Sequence, residues 1–170
     1  LLDQAPTALG QTLTLEHEGR KYRLALPLIG AYQAANVMVA AALILATGGA
    51  WAPTFSAMGR VAPVRGRLER AVISPAGAPV YVDYAHTPDA LEAAIQALRP
   101  HVEGKLITVF GAGGDRDTGK RAPMGEVASR LSDVTIVTDD NPRGEDGDRI
   151  VADIVAGFTR RDAATVQRDR

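Results

Sequence analysis

The run Leu106-Ile107-Thr108-Val109-Phe110-Gly111-Ala112-Gly113-Gly114-Asp115-Arg116-Asp117-Thr118-Gly119-Lys120-Arg121 decides the fold of this chain. Residues 105–110 are apolar and β-prone and read as a strand. Helical spacing begins at Ala122 and runs to Leu131. Glycines at such a junction let the backbone turn sharply and approach a ligand closely. The loop sets Asp115, Arg116, Asp117, Lys120 and Arg121 close together. Both charge signs in one loop suit a zwitterionic ligand better than a bare phosphate. A second apolar run, Val134 to Val137, ends in Thr138-Asp139-Asp140-Asn141-Pro142-Arg143. Polar loops after two successive strands are where open α/β sheets hold ligands.

Working outward, Leu68 to Ile73 is strand-like, Pro75 to Ala78 is a turn, and Val80 to Asp83 is a second strand. Thr87-Pro88 begins a helix with an N-cap hydroxyl and proline at the first helical position. Leu91, Ala94, Ile95 and Leu98 share one face of it, and Pro100 stops it. A last helix covers about Gly147 to Phe158. This β-α alternation predicts an α/β fold, a Rossmann-like, doubly wound, mostly parallel sheet with right-handed crossovers. The tail from Arg160 to Arg170 is polar and ends without a clear stop, as if a final strand were missing.

Before Arg65-Gly66-Arg67 the pattern differs. Residues 11–26 alternate around the turn His17-Glu18-Gly19-Arg20 and predict a β-hairpin. A helix from Gly30 to Thr47 carries the stripe Val37, Ala40, Ala41, Ile44 and Leu45, and a shorter helix covers Pro53 to Gly59.

The bulk numbers narrow the function classes. The 170 residues are 46% hydrophobic and 23% charged, ordinary globular composition. A net charge of -1 offers no field for nucleic acid. The absence of cysteine excludes disulfides, a thiolate zinc site and a cysteine nucleophile. The longest apolar run, Ala34 to Ala46, contains Asn36 and is too short to span a bilayer. The chain opens on Leu1-Leu2-Asp3 without initiator Met or signal pattern, as a piece of a longer protein would.

Several strings carry chemistry. Gly114-x-x-x-x-Gly119-Lys120 matches the opening of a phosphate-binding P-loop. Arg121 stands where Ser or Thr should hold magnesium, and Asp115 and Asp117 repel a triphosphate, so this is a near miss. Asp83 and His86 follow a strand, where they can meet a ribose hydroxyl, a phosphate or a metal. Equally, Asp83 can cap local amides and His86 can be a plain loop residue. Arg116 and Arg143 follow neighbouring strands, and an arginine fork grips a carboxylate with two hydrogen bonds. With Asn141 they can hold an amino acid, or Arg116 can form a salt-bridge network with Asp139 or Asp140. Arg67 can be a solvated hinge charge, and Asn36 a helix-packing amide.

Together these strings resemble the Mur ligases, and within them the MurE type, UDP-N-acetylmuramoyl-tripeptide synthetase. The matching pieces are Pro27 to Tyr32 with Asn36, Gly66 to Glu69, Val82 to Leu91, Phe110 to Arg121 and Thr138 to Arg143, in family order. The resemblance implies an ATP-dependent acid–amino-acid ligase of peptidoglycan synthesis. ATP phosphorylates the carboxylate of a UDP-linked muramoyl peptide, the incoming amine attacks, and phosphate leaves. The protein mainly positions the reactants and neutralises charge.

On that template residues 1–64 are the end of the central ATPase domain, and residues 65–170 are an incomplete C-terminal domain. The resemblance places Asn36, Arg67, Asp83 and His86 at ATP, with His86 the one candidate for a catalytic role. It places Arg116, Asp140, Asn141, Pro142 and Arg143 at the amino acid. The Asp-Asn-Pro-Arg string is typical of members adding meso-diaminopimelate, whose distal carboxylate would meet Arg143. A buried guanidinium left without that carboxylate is costly, so lysine would be rejected. The family's Gly-Lys-Thr loop, modified lysine and UDP-binding domain are absent from this stretch. ATP and Mg2+ are therefore expected to be held mainly outside this chain, with no metal site within it, and the isolated chain is expected to be inactive. The expected partners are small-molecule substrates, in a cytoplasmic monomer without nucleic acid or membrane. The alternatives are a related Mur-like or folylpolyglutamate-type ligase, and a stand-alone Rossmann-like module binding an amino acid or nucleotide. A dinucleotide oxidoreductase fits poorly, because Gly111-x-Gly113-Gly114 lacks the fingerprint spacing.

Overall fold

The computed structural model describes residues 1–160, 162 and 164–168. Arg161, Ala163, Asp169 and Arg170, part of the polar tail and of the expected C-terminal domain, lie outside the described residues. The chain forms two compact units, Leu1–Tyr84 and Ala85–Arg170.

In the first unit β1 (Asp3–Thr7), β2 (Gly10–His17) and β3 (Arg20–Leu26) form an antiparallel sheet in that order. The expected hairpin is β2–β3, paired Leu13 to Leu24 and Leu15 to Tyr22. Its turn has Glu18 at φ 50° and Gly19 at φ 74°, the paired left-handed residues that match strand twist. Leu13, Leu15, Leu24 and Leu26 are buried against α1 (Ala31–Ala46) and α2 (Trp51–Met58). Gln11, also buried, donates to the Leu28 and Gly30 carbonyls (2.9 and 3.0 Å) and so ties β2 to the start of α1.

The stripe expected on α1 needs correction. Ala34, Val37 and Ala41 are buried, whereas Ala40 and Ile44 are exposed and Leu45 is half-buried. The helix is apolar nearly all round, so spacing alone does not select its buried face. β1 was not expected either. It is polar, holds Pro6, and lies on the sheet edge, where proline is tolerated.

The unit closes with β4 (Glu69–Ile73) and β5 (Pro79–Val82), an antiparallel pair of their own. The strand expected at Val80 to Asp83 therefore pairs with its predecessor and stands outside the parallel sheet. A four-residue apolar run does not specify its partner.

The second unit is parallel α/β. After α3 (Pro88–Leu98), strands β6 (Ile107–Phe110), β7 (Val134–Val137) and β8 (Ala164–Val166) lie in that order, all parallel. Crossovers run through α4 (Arg121–Leu131) and α5 (Gly147–Ala156). The Thr87 side chain accepts from the Ala90 amide at the start of α3, as its sequence predicts. Ile95, Phe110, Met124, Ala128, Val137 and Ile154 form the core between sheet and helices. Ile107 and Val109, pointing to the other side of β6, are each 57% exposed. β8 lies within the polar tail, where the sequence suggested a strand was missing, and supplies the third strand.

Asp133 clamps this unit ahead of β7. Its carboxylate accepts from the Leu106 amide and from Arg99, both at 2.8 Å. The Leu106 amide first, then the guanidinium, hold this carboxyl below the usual carboxylate range. A depressed folded value gives stability that is full above the unfolded value, about 3.9, and is lost as pH falls through the folded one. Asp133→Asn is accordingly expected to lower the melting temperature at neutral pH, with the gap to wild type closing below about pH 4. Thermal unfolding across pH checks this, and a gap constant into strong acid contradicts it.

Candidate functional site

The loops after β6 and β7 are built as one object. The Gly114 amide donates to the Asn141 carbonyl (2.9 Å), and the Arg143 guanidinium donates through Nη1 to the Gly114 carbonyl (2.6 Å). The Gly144 amide donates to Asp115 Oδ2 (3.0 Å). Glycine is required for this approach, since a Cβ at Gly114 would overlap the Pro142 carbonyl and one at Gly111 the Thr138 carbonyl.

Asp115 and Arg143 are in the left-handed region at φ 51° and 50°. Of four non-glycine residues with positive φ among the described residues, these two flank the paired loops and a third, Leu68, follows Arg67. Such conformations cost free energy and persist where surrounding bonds enforce them.

Arg116 is exposed and forms no ion pair among the described residues. Its suggested partner Asp139 is taken by Arg168, at 2.8 Å, and Arg168 also pairs with Asp148. Asp140, Asn141, Pro142 and Arg143 are exposed, and Asn141 Oδ1 accepts the Arg143 amide (3.2 Å). One nitrogen of Arg143 is committed to Gly114, which orients the fork and leaves the rest of it for a carboxylate.

Arg121, read from sequence as a loop charge, is instead 1% exposed. Nη2 meets both oxygens of Glu145 at 2.9 Å, and Nη1 meets Asp153 on α5 at 2.9 Å. Burial pulls the basicity of this guanidinium down, but the Asp153 and Glu145 hydrogen bonds outweigh it and leave its pKa raised. Sequence reasoning missed Glu145 and Asp153 altogether. Charged residues on an exposed-looking loop and helix carry no local signal of burial.

A second group of expected residues lies in the first unit. Asp83 Oδ2 accepts the Leu68 amide (2.8 Å), the Tyr84 amide donates to the Gly66 carbonyl (2.8 Å), and the Gly66 amide donates to Glu69 (2.8 Å). Those bonds hold the Arg65-to-Leu68 turn against the end of β5. Asp83 therefore does cap an amide, though one 15 residues away in sequence and not the local one expected. Arg67 lies over the Tyr84 ring, 5.5 Å from its centroid.

Asn36 is exposed on α1 and donates to Gln33 Oε1 (3.3 Å). It borders an apolar groove of about 310 Å³ lined by Val37, Ala41, Met58 and Val61. A neighbouring cavity of about 360 Å³ is lined by Arg67, Arg70, Tyr81 and Leu68, and Gln33 borders both. Burial raises the pKa of the Tyr32 phenol, Asp83 raises it further, and Arg67 opposes, which places these three within electrostatic reach. Gln33 and Tyr32 are additions to the expected set. His86 falls in the second unit, is exposed, and its carbonyl accepts Lys120 Nζ at 2.8 Å.

Comparison with known proteins gives a consistent picture. The family model described as Mur ligase, glutamate ligase domain, matches residues 66–170. The UDP-N-acetylmuramoyl-L-alanyl-D-glutamate--2,6-diaminopimelate ligase of Zymomonas mobilis is 57% identical over 157 residues, covering 92% of this chain and 32% of that protein. The protein of the same name from Caulobacter vibrioides is 53% identical over 155 residues, covering 91% and 32%. A solved structure of a ligase with this name superposes with TM-score 0.72 at 32% identity, over 99% of this chain and 34% of that one. The folylpolyglutamate synthase of Mycobacterium tuberculosis, complexed with ADP, superposes with TM-score 0.71 at 26% identity, over 98% and 37%. The chain thus spans about a third of the length of the curated relatives it matches.

Gly114→Ala is expected to destabilise the chain by about 1–3 kcal/mol, the usual cost of forcing atoms into a packed contact. Gly104→Ala, where an added methyl meets nothing within 4 Å, is the control and should change little. Urea unfolding of both decides; equal stabilities would mean the loops are not locked together.

Proposed function

The chain belongs to the Mur ligase family, and we propose that it is part of a longer ATP-dependent ligase that adds meso-diaminopimelate to UDP-N-acetylmuramoyl-L-alanyl-D-glutamate in peptidoglycan synthesis. One observation carries this reading. Arg143, an exposed residue, sits on a loop locked by a backbone bond to the glycine loop, and its guanidinium is tethered by one nitrogen. An arginine so oriented suits the distal carboxylate that distinguishes diaminopimelate from lysine. Arg116, on the partner loop, offers a second fork. The names of the relatives at 57% and 53% identity support the same substrate.

In this reading Asp140, Asn141, Pro142 and Arg143 with Arg116 receive the amino acid. Asn36, Arg67, Asp83 and His86 serve the nucleotide. The residues present fit that role in kind. An amide pair, Asn36 and Gln33, borders an apolar groove suited to a base, and the Arg67 cation borders the adjoining cavity. ATP, once bound with Mg2+ held mainly by residues outside this chain, supplies the phosphoryl group that activates the acceptor carboxylate. This chain's own residues bind and orient the amine donor. Residues 1–64 would close the ATPase domain, and residues 65–170 would carry the amino acid, in a cytoplasmic monomer. No helix among the described residues is long and apolar enough to cross a membrane.

The whole reading frame containing this chain is expected to release phosphate from ATP with UDP-muramoyl dipeptide and meso-diaminopimelate, and not with L-lysine. Arg143→Ala should lower kcat/KM for diaminopimelate roughly 30-fold, the loss of charge-assisted hydrogen bonds to the distal carboxylate. The 170-residue chain alone should release none. Equal rates with lysine would remove the diaminopimelate assignment, and no release with either amino acid would favour the stand-alone binding module.

A further inference from the structure

Arg121 has no place in the amino-acid site described above, yet it is the largest fully buried side chain among the described residues. Its partner Glu145 does more than balance charge. Oε1 of Glu145 accepts the Asp115 amide (2.5 Å) as well as Arg121, and the Glu145 amide donates to the Pro142 carbonyl (3.0 Å). A continuous set of bonds therefore runs from buried Arg121 through Glu145 to Asp115 on one loop and to Pro142 on the other. It ends beside Arg143, whose fork is fixed by the Gly114 carbonyl. Asp115 and Arg143 are the two residues of these loops held at positive φ. Removing what enforces those backbone angles lets both residues relax to commoner conformations, and the fork turns with them.

We infer that Arg121 and Glu145 are positioning residues for the incoming amino acid. They set the direction of the Arg143 guanidinium, and hence affinity for the second carboxylate, without touching the substrate. This rests on the proposed role of the Arg143 loop. Arginine suits the task because one nitrogen of its planar fork meets both oxygens of Glu145 while the other is anchored on α5, away from the loops, and a lysine ammonium does not reproduce that geometry. Glutamate is needed because both oxygens accept. Oε1 takes the Asp115 amide and Arg121, and Oε2 takes Arg121 again. A glutamine places one oxygen and one NH2 there, so a donor faces a donor.

Asp153 provides the internal control. It pairs with the same guanidinium from α5 but bonds to neither loop in the contacts of this structure. In the whole protein containing this chain, Glu145→Gln is expected to raise KM for meso-diaminopimelate about tenfold or more, as a small misplacement of a binding group does. Its kcat should stay within about twofold and KM for ATP should not move. Asp153→Asn should lower the melting temperature at least as much and leave KM for diaminopimelate unchanged. Amide hydrogen exchange in the same proteins should quicken at Asp115 and Gly144 in Glu145→Gln only. Equal KM shifts in both variants, or none in either, overturn the inference, because Arg121 would then be a stability element alone. Unchanged exchange at Asp115 and Gly144 overturns it too. Absence of wild-type turnover with diaminopimelate is a different result. It removes the substrate reading, and the exchange rates still decide whether Glu145 holds the loops.

Discussion

A guanidinium with 1% of its surface exposed must have its charge met inside the protein, and Arg121 draws three elements together to do it. It begins α4, directly after the glycine loop. Glu145 comes from the loop after β7, and Asp153 from α5. Breaking such a pair leaves an uncompensated buried charge, at a cost of about 3–5 kcal/mol. The two loops at the carboxyl ends of β6 and β7 are thus tied to the core beneath them. Only then can Gly114 approach Asn141 and Pro142 closely, and only then is the Arg143 fork held by a backbone carbonyl. In the proposed reading, preorganisation of this kind would let an exposed arginine discriminate between amino acids that differ by one carboxylate.

Much of this architecture was legible in the residues. Thr87-Pro88 announced a helix start, Glu18-Gly19 a hairpin turn, and the apolar runs before Gly111 and Thr138 two parallel strands with polar loops at their ends. Each signal is local chemistry, a hydroxyl cap, a left-handed turn or a β-branched run, and depends little on distant partners. What escaped is tertiary. β1 is polar and contains Pro6, and it is a strand because β2 offers it an edge. β8 is three residues long and is defined by its pairing with β7. The run Val80 to Val82 shows no preference between an antiparallel neighbour and a parallel sheet, and β4 takes it.

The candidate site divides in the same way. Arg116, Asn141 and Arg143 could be named because their residue types and their place after strands point to carboxylate binding. Arg121 and Glu145 could not, because a charged side chain looks the same in sequence whether solvated or buried. In the first unit, Asp83 was open between a capping role and a ligand role. It caps Leu68, and in doing so it fixes the turn that displays Arg67, so the capping bond builds the candidate nucleotide side. The face of α1 was misjudged because a helix with Val39, Leu43 and Ile44 exposed has no polar side to mark the outside.

The most direct test is a crystal structure of the whole protein with meso-diaminopimelate bound. The distal carboxylate is expected in paired hydrogen bonds to Arg143, with Gly114 still accepting from its Nη1 and with Arg116 and Asn141 lining the same ligand. An amino acid bound elsewhere, with Arg143 turned to solvent, would contradict it.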